Sequence, residues 1–83
     1  MATVDVYTTG YCPYCTAAKS LLKQKGVTFN EIKVDGDTAK REWLVKATGQ
    51  RTVPQIFINN QSIGGFQELS QLEQNGKLDE LLK

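Results

Sequence analysis

The stretch VDVYTTGYCPYC, residues 4–15, determines how the chain begins to fold. Its first half places valines and a tyrosine among β-branched threonines and ends at Gly10, which predicts a short buried strand over Thr3–Thr8. Pro13 suits the first position of a helix, because its missing N–H would have no partner inside the helix there. The stretch therefore predicts a strand that leads directly into a helix, with two cysteines at the junction.

The later elements follow from similar signals. The helix that begins at Pro13 should end before Gly26 in a left-handed cap, and its apolar face carries Cys15, Ala18, Leu21 and Leu22. The next predictions are a strand over Val27–Val34 and a helix over Thr38–Thr48, which is capped by the turn 35–37 and ended by Gly49. A hairpin of Gln55–Ile58 and Gln61–Ile63 should turn at Asn59-Asn60. A helix should follow Gly64-Gly65 and end at Gly76, before a last amphipathic turn.

Two details of these elements carry further expectations. We expect Trp43, Leu44 and Ala47 to face inward from the second helix. The apolar residues of Val27–Val34 change phase along the strand, which indicates either a bulge or burial on both faces.

The order β-α-β-α-β-β-α predicts an α/β fold in one domain, residues 1–83. The first β-α-β unit should be a right-handed parallel crossover, and the hairpin should complete a mixed four-stranded sheet with helices on both faces.

Composition excludes several classes of function. The 83 residues include no histidine, so Ser/His and Cys/His catalytic pairs and imidazole metal sites are absent. Ten basic and nine acidic residues are interspersed, which predicts neither nucleic acid nor an anionic membrane as the main partner. Neither an export signal nor a stretch of 18 apolar residues is present, and two cysteines so close together do not form a secretory disulfide framework. We expect a cytoplasmic protein.

The CPYC motif, residues 12–15, predicts different environments for its two cysteines. Residues three apart at a helix start have Cβ atoms about 5–6 Å apart, so a disulfide between Cys12 and Cys15 could form and break with little backbone movement. Cys12 should cap the helix, where unpaired N–H groups and the helix dipole favour a thiolate. Cys15 shares the inward face. Cys12 is thus the predicted attacking cysteine and Cys15 the resolving one.

Three interpretations of the cysteine pair are open. A permanent structural disulfide would close so short a loop that it would constrain the unfolded chain little. A zinc site would need two more ligands than this pair supplies, unless two chains shared an ion or cluster. Redox exchange is favoured, because a C-x-x-C beside a β-α-β pattern is typical of thioredoxin-like proteins. We therefore expect no metal site.

With CPYC after the first strand, TGQRTVPQIFI at residues 48–58 and IGG at residues 63–65, the chain resembles the small dithiol glutaredoxins over essentially its whole length. The resemblance implies a thioredoxin-like fold, glutathione as co-substrate with no bound cofactor, and glutathionylated or disulfide-bonded proteins as partners of a monomeric enzyme.

The resemblance also implies a glutathione site. It predicts a cis Val53-Pro54 bond beside Cys12, with the Val53 backbone free to pair with the cysteinyl part of glutathione, and a nest of backbone N–H groups after Gly64 for the γ-glutamyl carboxylate. The implied binding residues are Tyr14, Arg41, Thr52, Val53, Pro54, Gly65, Phe66 and Gln67. Five of these residues also have a simpler explanation: Pro54 can start an edge strand, Gly65 can turn a corner, Arg41 and Tyr14 can merely be exposed, and Phe66 can belong to the core.

Two positions depart from the family pattern. Thr9 stands where many dithiol glutaredoxins have a lysine, so thiolate stabilisation should depend mainly on helix amides, and Arg41 should matter more for binding. Phe66 and Gln67 replace a small residue or cysteine and an aspartate, which removes an acidic partner for the α-amino group of glutathione.

These observations favour a glutathione-dependent thiol–disulfide oxidoreductase. Because a cysteine that is already ionised needs no general base, such an enzyme can work without histidine. Two alternatives are a dedicated electron donor recharged by thioredoxin reductase and a carrier in which two chains share an iron–sulfur cluster.

Overall fold

The computed structural model describes residues 2–82; Met1 and Lys83, the two ends of the expected domain, lie outside the described residues. Along this part of the chain the elements are β1 (Val4–Thr8), α1 (Pro13–Gln24), β2 (Asn30–Lys33), α2 (Thr38–Thr48), β3 (Gln55–Ile58), β4 (Gln61–Gly64), α3 (Phe66–Gln74) and α4 (Lys77–Leu81). The strand order is β2-β1-β3-β4, with β1 and β2 parallel and the other neighbouring pairs antiparallel. The predicted mixed four-stranded sheet is confirmed. No helix within residues 2–82 is long and apolar enough to cross a membrane.

Helices cover both faces of the sheet. On one face the β1 valines, paired with the isoleucines of β3, pack against α1, α3 and α4 in a core that consists of Val4, Val6, Ala18, Leu22, Ile56, Ile58, Leu69 and Leu78. On the other face Tyr7 and Phe57 pack against Trp43 of α2, with ring centroids 5.6 and 6.0 Å from the Trp43 ring. Full burial of one leucine such as Leu22 contributes about 1.5–3 kcal/mol, so this small core carries most of the stability.

The end of α1 explains why β2 is shorter than predicted. Gly26 has φ +73°, and the N–H groups of Gly26 and Val27 donate to the carbonyls of Lys23 and Leu22 in a Schellman arrangement. Because this bond occupies the Val27 N–H, the ladder with β1 begins only at Asn30. The predicted strand over Val27–Val34 was wrong at residues 27–29 and at Val34, which lie outside β2, and the apolar phase change between Phe29 and Ile32 falls at the start of β2.

The second helix has the predicted bounds but a narrower buried face. The Asp37 carboxylate accepts from the Lys40 N–H at 3.0 Å, and Gly49 ends the helix at φ +72°. Leu44 is buried and Trp43 faces the sheet as predicted, although Trp43 stays 50% exposed, whereas the inward orientation of Ala47 was wrong because Ala47 is exposed. The Trp43 ring covers the two sheet aromatics with one side and leaves the other in water.

The hairpin turn follows the sequence prediction. Asn59 and Asn60 have φ values of 53° and 66°, as a two-residue turn of this type requires. The strand after the turn extends one residue further than predicted, to Gly64, and α3 begins after Gly65. This corner brings the start of α3 beside Pro54, where an added Cβ on Gly65 would lie 3.3 Å from the Pro54 carbonyl oxygen.

Candidate active site

Cys12 lies at the N-cap of α1, as its position before Pro13 predicts. Its backbone is extended, at φ −158° and ψ 101°, and its Sγ accepts a hydrogen bond from the Cys15 N–H at 3.2 Å. An N–H group of the first helical turn, which the helix itself leaves unpaired, therefore points at the sulfur. The segment that leads to it is held by the Asp35 carboxylate, which accepts from the Gly10 N–H at 3.1 Å.

Cys15 occupies the opposite kind of environment, on the inner face of the same helix. Only 2% of its surface is exposed. Burial and a hydrogen bond with the Cys12 sulfur raise the pKa of Cys15 to about 12, although a hydrogen bond from the Thr9 backbone and the charge of Lys19 act in the other direction. Cys15 therefore stays a protonated thiol at neutral pH.

Lys19, one turn after Cys15 on α1, forms an ion pair with Glu31. Its Nζ lies 2.9 Å from Glu31 Oε2, and the same oxygen accepts a hydrogen bond from the buried Thr8 hydroxyl at 2.9 Å. Because Lys19 and Thr8 both favour its charged form, the pKa of Glu31 is lowered. A fixed ion pair thus connects α1 and β2 beneath the cysteines.

The loop before β3 contacts Cys12 from the other side. The Val53-Pro54 bond is cis, as the family resemblance implied, and the Cys12 thiol donates to the Val53 carbonyl with a sulfur–oxygen distance of 3.6 Å. The Cys12 sulfur therefore has a backbone N–H donor on one side and a backbone carbonyl on the other. The carbonyl comes from a residue 41 positions from Cys12 along the chain.

A groove of about 700 Å³ extends between this loop and α3. Seven of the predicted glutathione-binding residues line it: Tyr14, Thr52, Val53, Pro54, Gly65, Phe66 and Gln67. The rings of Tyr14 and Phe66 lie 6.2 Å apart and form one end of the groove wall. Phe66 also packs against the core cluster, so its functional and structural explanations both apply.

The corner between β4 and α3 supplies the expected turn of backbone amides. The Gly65 N–H donates to the Glu68 carboxylate at 3.4 Å, in a capping box that closes the start of α3. A carboxylate thus already lies at this helix start. An anionic group entering here would compete with Glu68 for the Gly65 N–H.

Arg41 lies apart from the other predicted binding residues. It lines a neighbouring hollow of about 550 Å³ together with Lys46 and Arg51, and it is not among the residues that line the groove. Arg51 precedes Thr52, so the two cavities adjoin where the loop passes between them.

The structure adds residues that sequence analysis missed. Glu68, Ser70, Gln71 and Gln74 line the groove along α3, and Gln50 lines it from the loop. Gln71 and Gln74 follow Gln67 at intervals of four and three residues, so helical spacing alone would have placed all three on one face. No spacing pattern in the sequence indicates the buried Gln55, because its role depends on its hydrogen bonds to Gln50 and Thr52 in the preceding loop.

Comparison with known proteins agrees with this geometry. The family model described as Glutaredoxin matches residues 4–63. Glutaredoxin 3 of Escherichia coli K12 is 54% identical over 83 residues, all of both chains, and a Pseudomonas aeruginosa glutaredoxin is 50% identical over 82 residues, with 99% of this chain and 98% of its own length covered.

Solved structures show the same fold. The chain superimposes on a buckwheat glutaredoxin–glutathione complex with a TM-score of 0.91 at 34% identity, covering 98% of this chain and 76% of that one. The solution structure of a Brucella melitensis glutaredoxin gives 0.90 at 46% identity, with coverages of 100% and 90%. With its cysteine pair, its thioredoxin-like sheet and these relatives, the chain belongs to the glutaredoxin family.

Proposed function

We propose that this chain is a glutathione-dependent oxidoreductase that reduces glutathione mixed disulfides and protein disulfides through Cys12 and Cys15. Membership of the glutaredoxin family makes it a thiol–disulfide oxidoreductase. The single observation that carries the finer proposal is the position of Cys12 Sγ, 3.2 Å from a helix N–H and 3.6 Å from the carbonyl of Val53, a residue that lines the groove.

Cys12 is the proposed nucleophile. Its thiolate attacks the glutathione sulfur of a mixed disulfide, a Cys12–glutathione bond forms, the original S–S bond breaks, and the departing thiolate takes a proton from water. A second glutathione thiolate then attacks the glutathione sulfur bound to Cys12. Glutathione disulfide leaves and the Cys12 thiolate is restored, so each turnover converts one mixed disulfide and one free glutathione into one thiol and one glutathione disulfide.

Cys15 is the proposed resolving residue for protein disulfides. Burial raises the pKa of Cys15 most, and the hydrogen bond to Cys12 and the negative charge of the Cys12 thiolate both raise it further. Both effects end when Cys12 enters a mixed disulfide, so the Cys15 thiol becomes easier to ionise at the stage when it must attack. Attack of the Cys15 thiolate on the Cys12 sulfur forms a Cys12–Cys15 disulfide and expels the thiolate of the reduced protein, and two glutathione molecules then reduce this disulfide and leave as glutathione disulfide.

The groove is the proposed glutathione site. Val53 offers a backbone carbonyl and N–H to the cysteinyl part, next to Thr52 and Pro54. At the other wall Gly65, Phe66 and Gln67 would present backbone amides to a carboxylate once Glu68 yields the Gly65 N–H. The buckwheat protein, similar over nearly the whole chain, was solved as a complex with glutathione, which supports this assignment.

Two further side chains complete the proposal. Tyr14 would cover one end of the groove through its contact with Phe66. Arg41 would act from the adjoining hollow as a positive charge near a carboxylate of glutathione, so its effect on binding should be smaller than that of the groove residues.

Replacing each cysteine tests the roles. Cys12→Ser should abolish reduction of the mixed disulfide of glutathione and 2-mercaptoethanol, whereas Cys15→Ser should retain much of it and lose most protein-disulfide reduction. Ser20→Ala, on an exposed position of the same helix, is the control. An indispensable Cys15 and a dispensable Cys12 would contradict the assignment. A wild-type protein reduced by thioredoxin reductase but not by glutathione would contradict the glutathione dependence.

A further inference from the structure

Gln55 is a buried polar residue that the proposed reaction does not use directly. It lies in β3 with none of its surface exposed. Its Nε2 donates to the Thr52 carbonyl at 2.9 Å and to Gln50 Oε1 at 3.0 Å, and the Thr52 hydroxyl lies 3.4 Å away. Its Oε1 is buried, and among residues 2–82 it has no hydrogen-bond partner.

These contacts fix which way the Gln50 amide faces. A backbone carbonyl can only accept, so the group that Gln55 directs at Thr52 must be its NH₂. The atom of Gln50 that meets the same NH₂ must then be an acceptor, its Oε1. The Gln50 NH₂ is therefore the branch directed away from Gln55, on a side chain that lines the groove.

The backbone of Gln50 is held as well. Its N–H donates to the Thr48 hydroxyl oxygen at 3.1 Å, and that hydroxyl lies 3.2 Å from the Gln50 carbonyl oxygen. A side chain fixed at its backbone and at its amide oxygen loses little further entropy when its NH₂ engages a ligand. The end of α2 and the start of β3 thus hold one donor in place at the groove.

The unpaired Gln55 oxygen indicates that this residue does not serve stability alone. A buried acceptor without a partner costs free energy, and an apolar residue of similar size would avoid that cost. An apolar residue could not, however, donate to the Thr52 carbonyl and Gln50 Oε1 as this amide does. The benefit of Gln55 is the defined shape of the loop that contacts Cys12.

We propose that Gln50 is a ligand-binding residue of the groove, whose NH₂ donates to a carbonyl or carboxylate oxygen of bound glutathione, and that Gln55 is a positioning residue that orients it. This inference rests on the proposed function, because it places glutathione in the groove.

Steady-state kinetics with the mixed disulfide of glutathione and 2-mercaptoethanol tests the inference. Gln50→Ala should raise KM about three- to tenfold, the range for one lost hydrogen bond, with little change in kcat. Gln50→Glu keeps the acceptor that faces Gln55 but replaces the donor with a negatively charged oxygen, so KM should rise further. Gln24→Ala, an exposed glutamine at the end of α1, is the matched control and should leave KM unchanged.

Gln55→Met tests the positioning role. It should raise KM as Gln50→Ala does without lowering the free energy of unfolding in proportion. Because Gln55 acts through Gln50, the effects of the two substitutions on KM should not add: the KM of Gln50→Ala/Gln55→Met should resemble that of Gln50→Ala. Additive effects on KM would overturn the positioning role.

These experiments distinguish a failure of the Gln50 binding role from a failure of the proposed function. An active wild type whose KM is unaffected by Gln50→Ala and Gln50→Glu would overturn the inference and leave the proposed function in place. A wild type that does not turn over the glutathione substrate would overturn both. If Gln55→Met did not fold, the two Gln50 variants, which change an exposed side chain, would still decide the binding role.

Discussion

Cys12 and Cys15 lie three residues apart on one helix, yet their side chains belong to different regions of the molecule. Cys12 caps α1 at the edge of the groove, half-buried, with a helix N–H and the Val53 carbonyl at its sulfur. Cys15 faces the core, where burial and the neighbouring sulfur raise its pKa to about 12. One turn of helix is enough to separate a reactive sulfur from a protected one, because it directs one side chain towards the groove and the other into the core.

The largest expected effect of this difference is on alkylation. A pKa about three units above the ordinary value leaves Cys15 with about a thousandfold smaller thiolate fraction at pH 7 than an ordinary cysteine. Iodoacetamide should therefore modify reduced wild-type protein at Cys12 first, with Cys15 at least about a hundredfold slower. Peptide mass spectrometry over time measures both rates.

Cys12→Ser sharpens the same comparison. It removes the neighbouring sulfur that helps to raise the pKa of Cys15, while burial remains. Cys15 should then react faster than in the wild type but slower than a free thiol. Equal alkylation rates of the two cysteines in the wild type would contradict the predicted difference between Cys12 and Cys15.

A second effect appears in the pH dependence of stability. The folded-state pKa of Cys15 is raised above its unfolded value, so the unfolded state loses this proton first as pH rises. The contribution of the Cys15 thiol to the free energy of unfolding is complete below about pH 9. It is lost as pH rises towards 12, by at most about 1.4 kcal/mol per pH unit.

Urea unfolding of reduced protein between pH 8 and 11 measures this fall, with Cys15→Ala as control. The variant retains every other ionisable side chain, so only the difference between the two curves belongs to Cys15. Parallel curves would show that the Cys15 thiol is not protected by folding.

The smallest expected effect concerns Lys19, whose charge favours ionisation of Cys15. Lys19→Gln should slow the dithiol reaction with a protein disulfide by about two- to fivefold, as expected for one partly exposed charge, and should leave reduction of a small glutathione mixed disulfide nearly unchanged. Lys23→Gln, exposed one turn further along α1, is the control. Equal slowing of both reactions would show that Lys19 acts on the fold or on Cys12 instead.

Much of the fold could be predicted because its signals are local. The bounds of α2, the left-handed Gly26 and the Asn59-Asn60 turn each depend on a few neighbouring residues. One error has a local cause and the other a tertiary cause. The Schellman bond between Leu22 and Val27 shortened β2 at its start, whereas Ala47 is exposed because α2 faces the sheet through Leu44 and the Trp43 ring.

The candidate site divides in the same way. The sequence by itself determined that Cys12 would cap α1 and Cys15 would face inward, since helix geometry relates residues three apart wherever the helix lies. Only the tertiary structure decided that Val53, 41 residues away, supplies a carbonyl to Cys12, that Arg41 lies in a separate hollow, and that Gln55 orients Gln50. Those contacts depend on how strands and helices pack across the sheet, and neither propensity nor spacing encodes the distances between elements.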